Sequence, residues 1–182
     1  MQATTILMDE HAVIERVLTM LESVAAAGRR GEAIPADFAR WSIGFLRQFA
    51  DGCHHYKEEE ALFPLLVSRG LPKEGGPVGV MLYEHEHGRR LVAEMEAALD
   101  ERPQNNGRFA DAAAQYASLL RQHIWKENNV LFQMAEQLLS PADDVKLVDQ
   151  YKQAELHAPA LHDRLVGEVE AWEKNLAIPV VA

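Results

Sequence analysis

The sequence predicts an all-α protein: an up-down-up-down four-helix bundle followed by an additional kinked C-terminal helical segment. Apolar residues recur at spacings of three and four along most of the chain, which is the period of amphipathic helices. The alternation of apolar and polar residues that is typical of strands is almost absent. The stretches that interrupt the helical period are short, so consecutive long helices are expected to pack antiparallel.

The four bundle helices are expected one after another along the chain. The first runs from about residue 5 to 27, before Gly28, and the second from about 35 to 68, before the loop RGLPKEGGP. The third covers about residues 78–100 and the fourth about 108–139, with ERPQNNG between them. Glycine and proline in both loops end the helical pattern.

The chain after the bundle is expected to form a fifth helical stretch. Ser140 is a suitable N-cap, and Pro141 suits the first helical position. Pro159 predicts a break near His157–Ala158, because a proline inside a helix removes a hydrogen bond and clashes with the preceding turn. We therefore expect a single domain over residues 1–175. Its parts are a core bundle at about 5–139 and a helical segment at about 141–174, and an extended tail follows at 175–182.

The composition limits which classes of binding partner and which cellular compartment are expected. The net charge of −10 repels phosphate backbones, so nucleic acids are not expected as partners. Cys53 is the only cysteine, which excludes an intrachain disulfide and fits the reducing cytoplasm. The N-terminus MQATTILMDEH has no basic region and no long apolar run, so a signal peptide is not expected. No stretch approaches the roughly 18 apolar residues of a membrane span, so a membrane is not expected either.

Two stretches repeat the pattern His-x-x-Lys-Glu-x-x-apolar-Leu-Phe. They are HHYKEEEALFP, which starts at His54, and HIWKENNVLFQ, which starts at His123. Within each repeat the histidine and the glutamate are four residues apart, so both side chains lie on one face of a helix, one turn from each other. A single pair of this kind is a weak signal, but its duplication indicates a shared site.

Four of the predicted helices place a histidine on the apolar face, and two of them add a glutamate one turn later. A lone histidine in such a place usually forms a hydrogen bond with a neighbour. Four imidazoles and two carboxylates inside one bundle would be costly without a cation to coordinate them. Imidazole with carboxylate suits iron, manganese or zinc, and two glutamates could bridge a pair of metal ions. The six residues are His11, His54, Glu58, His85, His123 and Glu127.

The stretches DEHAVI, HHYKEEEALFP, MLYEHEHGR and HIWKENNVLF resemble the hemerythrin-like, or HHE cation-binding, family over about residues 7–139. The resemblance implies an up-down-up-down bundle around two non-heme Fe ions, joined by an oxo or hydroxo bridge and two carboxylates. Members bind dioxygen or respond to oxygen, nitric oxide, peroxide or iron. Carried over by position, the resemblance implies the same six residues as ligands.

Two choices of register remain open within the motifs. His55 and Glu59 are also four residues apart, but alignment of the repeats on Lys-Glu and Leu-Phe favours His54 with Glu58. In that register His55 faces away from the site, either behind the ligands or toward solvent. On the third helix, His85 fits the apolar face and the family pattern better than the neighbouring histidine at position 87.

The chain departs from the classic oxygen carriers, which have two histidines four residues apart on the third helix. Here Met81 and Arg89 flank His85 at that spacing, so one ligand is missing. The seventh ligand could be His162, Tyr116 or water. We favour His162, because it lies on the apolar stripe of the C-terminal segment and the break at the proline could turn that segment toward the bundle.

These observations predict a cytoplasmic non-heme di-iron protein that binds or senses dioxygen, nitric oxide or peroxide. Two alternatives remain open: an enzyme that removes peroxide or repairs nitrosative damage, and a protein that senses or stores iron. The sequence identifies ligands, but it does not identify the physiological small molecule or the oligomeric state.

Overall fold

The computed structural model describes residues 1–101, 104–155 and 161–176. Six helices account for most of these residues, and none of the described residues lies in a β-strand, which confirms the predicted all-α class. The helices are α1 (Gln2–Arg29), α2 (residues 36–68), α3 (Pro77–Asp100), α4 (residues 106–138), α5 (Pro141–Glu155) and α6 (Leu161–Asn175).

The first four helices form a closed ring around a common core. Helix α1 packs against α2 and α4, and α3 packs against the same two helices. The ends of α1 show its direction relative to α4: Arg29 pairs with Asp111, whereas the N-terminal amine of Met1 pairs with Glu136. Helix α1 therefore runs antiparallel to α4. The pairs Arg47–Glu96 and Glu59–His85 show the same for the consecutive helices α2 and α3, as the short loop between them predicts.

Local signals set the helix ends. Pro77 opens α3 directly after Gly76, a position where the missing proline N–H is not needed. The side chain of Asn105 caps α4 by accepting a hydrogen bond from the backbone N–H of Arg108 at 3.0 Å. After α2, Gly70 adopts a positive φ of 103°, which a residue with a side chain would rarely adopt.

Helices α2 and α4 contain π-helical turns next to the predicted site. In α2 these turns are Leu46–His55 and Glu58–Leu62, and in α4 they are Glu127–Leu131. A π-helical turn closes with an i→i+5 hydrogen bond, so it holds one more residue than an α-helical turn. The angle between successive side chains is therefore smaller, and two adjacent residues can both face the interior.

The core has two apolar clusters with a polar layer between them. One cluster includes Ile14 and Leu91, and the other includes Leu7 and Leu62. The predicted histidines and glutamates lie between these clusters on each of the four helices, so they are enclosed from both ends of the bundle. Burial of this kind excludes water and strengthens electrostatic interactions within the layer.

The two C-terminal helices pack on the outside of the ring. Helix α5 contacts α1 and the Glu58–Leu62 turns, and α6 contacts α1. The ring of Trp172 lies 5.4 Å from that of Phe38, which joins α6 to the first apolar cluster. The predicted break near His157–Ala158 and residues 177–182 of the predicted tail lie outside the described residues. Within the described part of the chain, no helix is both long enough and apolar enough to cross a membrane.

Candidate metal centre

The structure brings all six residues of the predicted core set into one buried layer. Each is at most 1% exposed, and each of the four ring helices contributes at least one of them. With one further histidine, described below, they form two adjacent sets. Within each set, the candidate donor atoms lie within 4.8 Å of one another. The sets are His55, Glu58, His85 and His123 on one side, and His11, His54, Glu58 and Glu127 on the other.

The two glutamates lie between the histidines of different helices. One carboxylate oxygen of Glu58, Oε1, is 3.5 Å from His54 Nε2, and the other, Oε2, is 3.4 Å from His85 Nε2. A single oxygen of Glu127, Oε2, is 3.2 Å from Nε2 of both His11 and His123. Both carboxylates are therefore positioned to bridge the two sets.

All five histidines of the two sets present Nε2 to the centre and Nδ1 to an outer acceptor. A hydrogen bond from Nδ1–H fixes the tautomer and leaves the Nε2 lone pair free for a metal ion. The pairs are His11 with Asn128 at 2.8 Å, His54 with Glu10 at 2.9 Å, His85 with Glu59 at 2.6 Å, His123 with Glu84 at 3.0 Å and His55 with Asp51 at 3.4 Å.

The lysine of each sequence repeat supports one of these outer acceptors. Lys57 pairs with Glu10, which accepts the hydrogen bond of His54. In the second repeat Lys126 pairs with Glu84, which accepts the hydrogen bond of His123. Each lysine thus holds a carboxylate that orients the histidine of its own repeat. We did not predict these glutamates; the signal was the Glu-His dipeptide that ends at His11 and recurs at His85.

The inward-facing atoms lack partners in a way that fits a metal ion. Among the described residues, Nε2 of His11, His54 and His55 and all four carboxylate oxygens of Glu58 and Glu127 are buried without a hydrogen bond. Unsatisfied buried polar groups are expensive, and two carboxylates in such a layer need positive charge between them. Imidazole nitrogens with carboxylate oxygens are donors that iron, manganese and zinc accept. The residues present therefore fit a metal pair.

The protonation states differ among the histidines of the donor sets. Burial lowers the pKa of His123, but the carboxylates of Glu127 and Glu84 outweigh burial and raise it to about 9, so a metal ion would have to displace a proton from this ring. Burial, followed by the neighbouring imidazole of His11, lowers the pKa of His54 to about 4. Burial and His85 likewise lower the pKa of His55 to about 3, so both rings are neutral at pH 7. Burial and the charge of Glu127 raise the pKa of Glu58, because two carboxylates in one dry layer disfavour a second negative charge.

Comparison with known proteins agrees with this geometry. The family model described as the hemerythrin HHE cation binding domain matches residues 2–135, which include all seven residues of the two sets. The chain belongs to the hemerythrin HHE cation-binding family. It is a metal-binding helical protein of that family, as the resemblance implied.

Several relatives extend over much of this hemerythrin-like chain. An uncharacterized protein of Mycobacterium tuberculosis is 26% identical over 179 residues, which is 94% of this chain and 69% of that protein. The iron-sulfur cluster repair protein DnrN of Neisseria gonorrhoeae is 30% identical over 132 residues, 66% of this chain and 78% of DnrN. The iron-sulfur cluster repair protein YtfE of Edwardsiella ictaluri is 33% identical over 96 residues, 50% of this chain and 43% of YtfE. No solved structure gave a significant match.

The fifth histidine of the centre is His55, and the expectation that it faces away from the site is wrong. Its side chain is buried, and its ring stacks on that of His85 with centroids 3.8 Å apart. The Leu46–His55 turns are π-helical, so His54 and His55 both face the interior although they are adjacent. An ideal α-helical period would have separated them by more than a quarter of a turn.

His162 does not join the cluster in the structure. Its side chain is 42% exposed on α6, its Nδ1 is 3.4 Å from Asp163 of the same helix, and its ring packs on Phe49. Helix α6 packs along α1 at the level of the first apolar cluster, away from the polar layer. Tyr116, the other protein residue considered for this place, is buried and lies beside His55 and His85.

A cavity of about 230 Å³ leads to the three-histidine side of the centre. The rings of His55 and His85 line it, together with Tyr116, Asp51 and Arg89. Arg89 donates hydrogen bonds to Asp51 and Glu59, the same carboxylates that accept from His55 and His85. The ion pairs of Arg89 with Asp51 and Glu59 therefore lie between one side of the buried layer and solvent.

Replacing His55 with alanine should weaken metal binding, whereas His162→Ala should leave it unchanged. His55 supplies one of the three imidazoles on its side of the centre, and His162 supplies none. Iron per chain after dialysis against a chelator measures the difference, with circular dichroism as a check of the fold. Iron loss in His162→Ala, or full retention in His55→Ala, would contradict the arrangement.

Proposed function

We propose that this protein holds two iron ions in the buried layer and uses them to bind a small ligand, which is dioxygen, nitric oxide or peroxide. The observation that carries the proposal is the pair of donor sets, with inward-facing imidazole nitrogens and carboxylate oxygens that share Glu58. Two iron ions would supply open coordination positions and exchangeable electrons for such a ligand.

The two ions would have unequal protein ligands. His55, His85 and His123 would hold one ion, and His11 and His54 would hold the other. The carboxylates of Glu58 and Glu127 would lie between them. The side with two histidines has fewer imidazole donors, so it is the side at which we expect a small ligand to bind.

The first test is the number of metal ions. Protein produced with added iron should contain two iron atoms per chain, because the chain presents two donor sets that share Glu58. Metal analysis of the purified protein, with the chain concentration measured by amino-acid analysis, gives this ratio. A ratio near one, or zinc in place of iron after production in iron-rich, zinc-poor medium, would contradict the proposal.

The choice of ligand needs a kinetic measurement. The anaerobically reduced, iron-loaded protein would be mixed separately with dioxygen, nitric oxide and hydrogen peroxide in a stopped-flow spectrometer. A spectrum that forms and reverses on removal of the ligand supports binding or sensing. Continuous consumption of peroxide supports an enzyme instead.

A second candidate function is repair of damaged iron-sulfur clusters. It is favoured by the names of the relatives DnrN and YtfE, both described as iron-sulfur cluster repair proteins. The test is recovery of activity in a cluster-dependent hydratase after exposure to nitric oxide, with the iron-loaded protein and with its metal-free form. Recovery that needs the loaded form supports repair.

A third possibility, iron storage or sensing, would appear as iron content that rises and falls with supply.

A further inference from the structure

Helix α5 lies outside the part of the chain that the family model matches, yet it contacts the turn of α2 that begins with the candidate ligand Glu58. It packs against α1 and against the Glu58–Leu62 turns of α2. Tyr151 of α5 is 1% exposed and belongs to the apolar cluster that contains Leu7 and Leu62. Leu7 lies one helical turn before His11, and Leu62 follows Glu58 on the next turn. The tyrosine ring is therefore in the layer directly beside the candidate ligands.

The hydroxyl group of Tyr151 has no hydrogen-bond partner among the described residues, although it is shielded from solvent. A buried tyrosine hydroxyl normally finds a partner, because leaving it unpaired costs free energy. Tyr151 is among the residues that line a surface cavity of about 570 Å³, but its hydroxyl oxygen is buried. The hydroxyl group is therefore a buried donor that has no acceptor among the described residues.

The contacts of Lys57 locate Tyr151 on one side of the centre. Lys57 Nζ lies 5.9 Å from the centroid of the Tyr151 ring, and the same amine pairs with Glu10. Glu10 accepts the hydrogen bond from His54, which belongs to the donor set with two histidines. The other buried tyrosine near the centre, Tyr116, lines the cavity on the opposite side.

A phenol in this place remains a hydrogen-bond donor at neutral pH. Burial, followed by the nearby carboxylates of Glu58 and Glu10, raises the pKa of Tyr151 above its ordinary value. The proton therefore stays on the oxygen. A small ligand that carries negative charge, or that accepts electron density from iron, presents an acceptor atom to such a donor.

We infer that Tyr151 donates a hydrogen bond to the small ligand bound on the His11–His54 side of the centre. The inference rests on the proposed function and adds a residue from outside the matched family domain. The ligand class is a small anion, or a diatomic molecule polarised by the metal, with an acceptor atom directed away from the ions.

The test compares the full-length, iron-loaded protein with its Tyr151→Phe variant, with azide as the probe. Azide affinity should fall about tenfold in Tyr151→Phe at unchanged iron content, because a hydrogen bond to a charged acceptor is lost. The azide stretching frequency should shift in D₂O for the parent and not for the variant. Tyr116→Phe is the matched control and should behave as the parent does.

A second measurement uses the metal-free protein. Because the Tyr151 hydroxyl has no partner among the described residues, metal-free Tyr151→Phe should unfold at the same urea concentration as the parent or at a higher one. A lower urea midpoint would indicate that the hydroxyl holds the fold, and would overturn the inference.

The other outcomes separate the inference from the proposed function. Azide affinity and stretching frequency that do not change in Tyr151→Phe would overturn the inference alone. A loss in Tyr116→Phe instead would assign the ligand to the opposite side and would also overturn it. A parent protein that fails to hold two iron ions or to bind azide and nitric oxide would overturn both.

Discussion

The Glu58→Gln variant should lose at least half of its iron and yet be no less stable than the parent in the metal-free state. Glu58 is the residue shared by both donor sets, and glutamine keeps its shape while removing the negative charge. Two cations in close proximity need anionic charge between them, so the centre should lose affinity for both ions. The same loss of iron is expected for Glu127→Gln.

The pH dependence of the metal-free protein shows whether ionised Glu58 stabilises or destabilises the fold. Burial and the charge of Glu127 raise the pKa of Glu58 in the folded protein, so ionisation of Glu58 opposes folding. Its unfavourable contribution is absent below the ordinary carboxyl pKa and develops as the pH rises. Metal-free Glu58→Gln should therefore gain stability relative to the parent mainly at neutral pH, as measured by urea unfolding at pH 4 and pH 7.

Glu60→Ala provides the matched control, because Glu60 lies on the same turn and is exposed. It should retain both iron atoms. Full iron occupancy in Glu58→Gln and Glu127→Gln would refute the assignment of the bridging carboxylates. Iron loss in all three variants would point to a general loss of the helix instead.

Lys57→Met should destabilise the metal-free protein by about 3 kcal/mol, whereas Lys126→Met should cost less than about 1 kcal/mol. Both lysines hold the carboxylate behind a histidine, but Lys57 is 1% exposed and its partner Glu10 is 3% exposed. Removing Lys57 leaves a buried carboxylate without its cation. Lys126 is 32% exposed, so water can solvate Glu84 when that lysine is removed.

The comparison is made by urea unfolding of the metal-free variants at pH 7. Methionine fills the space of the lysine stem, so the difference reports the charge rather than a cavity. Equal losses of unfolding free energy in the two variants would mean that the burial of the ion pair does not affect its contribution to stability. A negligible loss in Lys57→Met would show that Glu10 is protonated or hydrated in the folded protein.

Much of the fold and of the centre could be predicted because both follow from regular periods. The three- and four-residue spacing of apolar side chains predicts the long helices. The four-residue spacing of His54 with Glu58 and of His123 with Glu127 brings each pair to one face. The same reasoning identified His11 and His85, which the structure buries in the same layer.

The sequence did not predict those features for which an ideal α-helical period gives the wrong side-chain direction or no information. His55 was assigned to the wrong face because π-helical turns change the angle between successive residues, and nothing in the residue types of α2 marks those turns. The expectation for His162 depended on how a helix after the bundle would dock. The roles of Glu10 and Glu84 depend on contacts between helices, which sequence spacing within one helix does not contain.

The repeated hydrogen-bond pattern also bears on the origin of the bundle. The α1–α2 hairpin and the α3–α4 hairpin each carry a Glu-His dipeptide on the first helix and His-x-x-Lys-Glu on the second, with the same hydrogen bonds between them. Duplication of one ancestral hairpin would leave this pattern. The copies differ where His55 in one matches Ile124 in the other. A substitution at that one position would be enough to make two equivalent donor sets into two different ones.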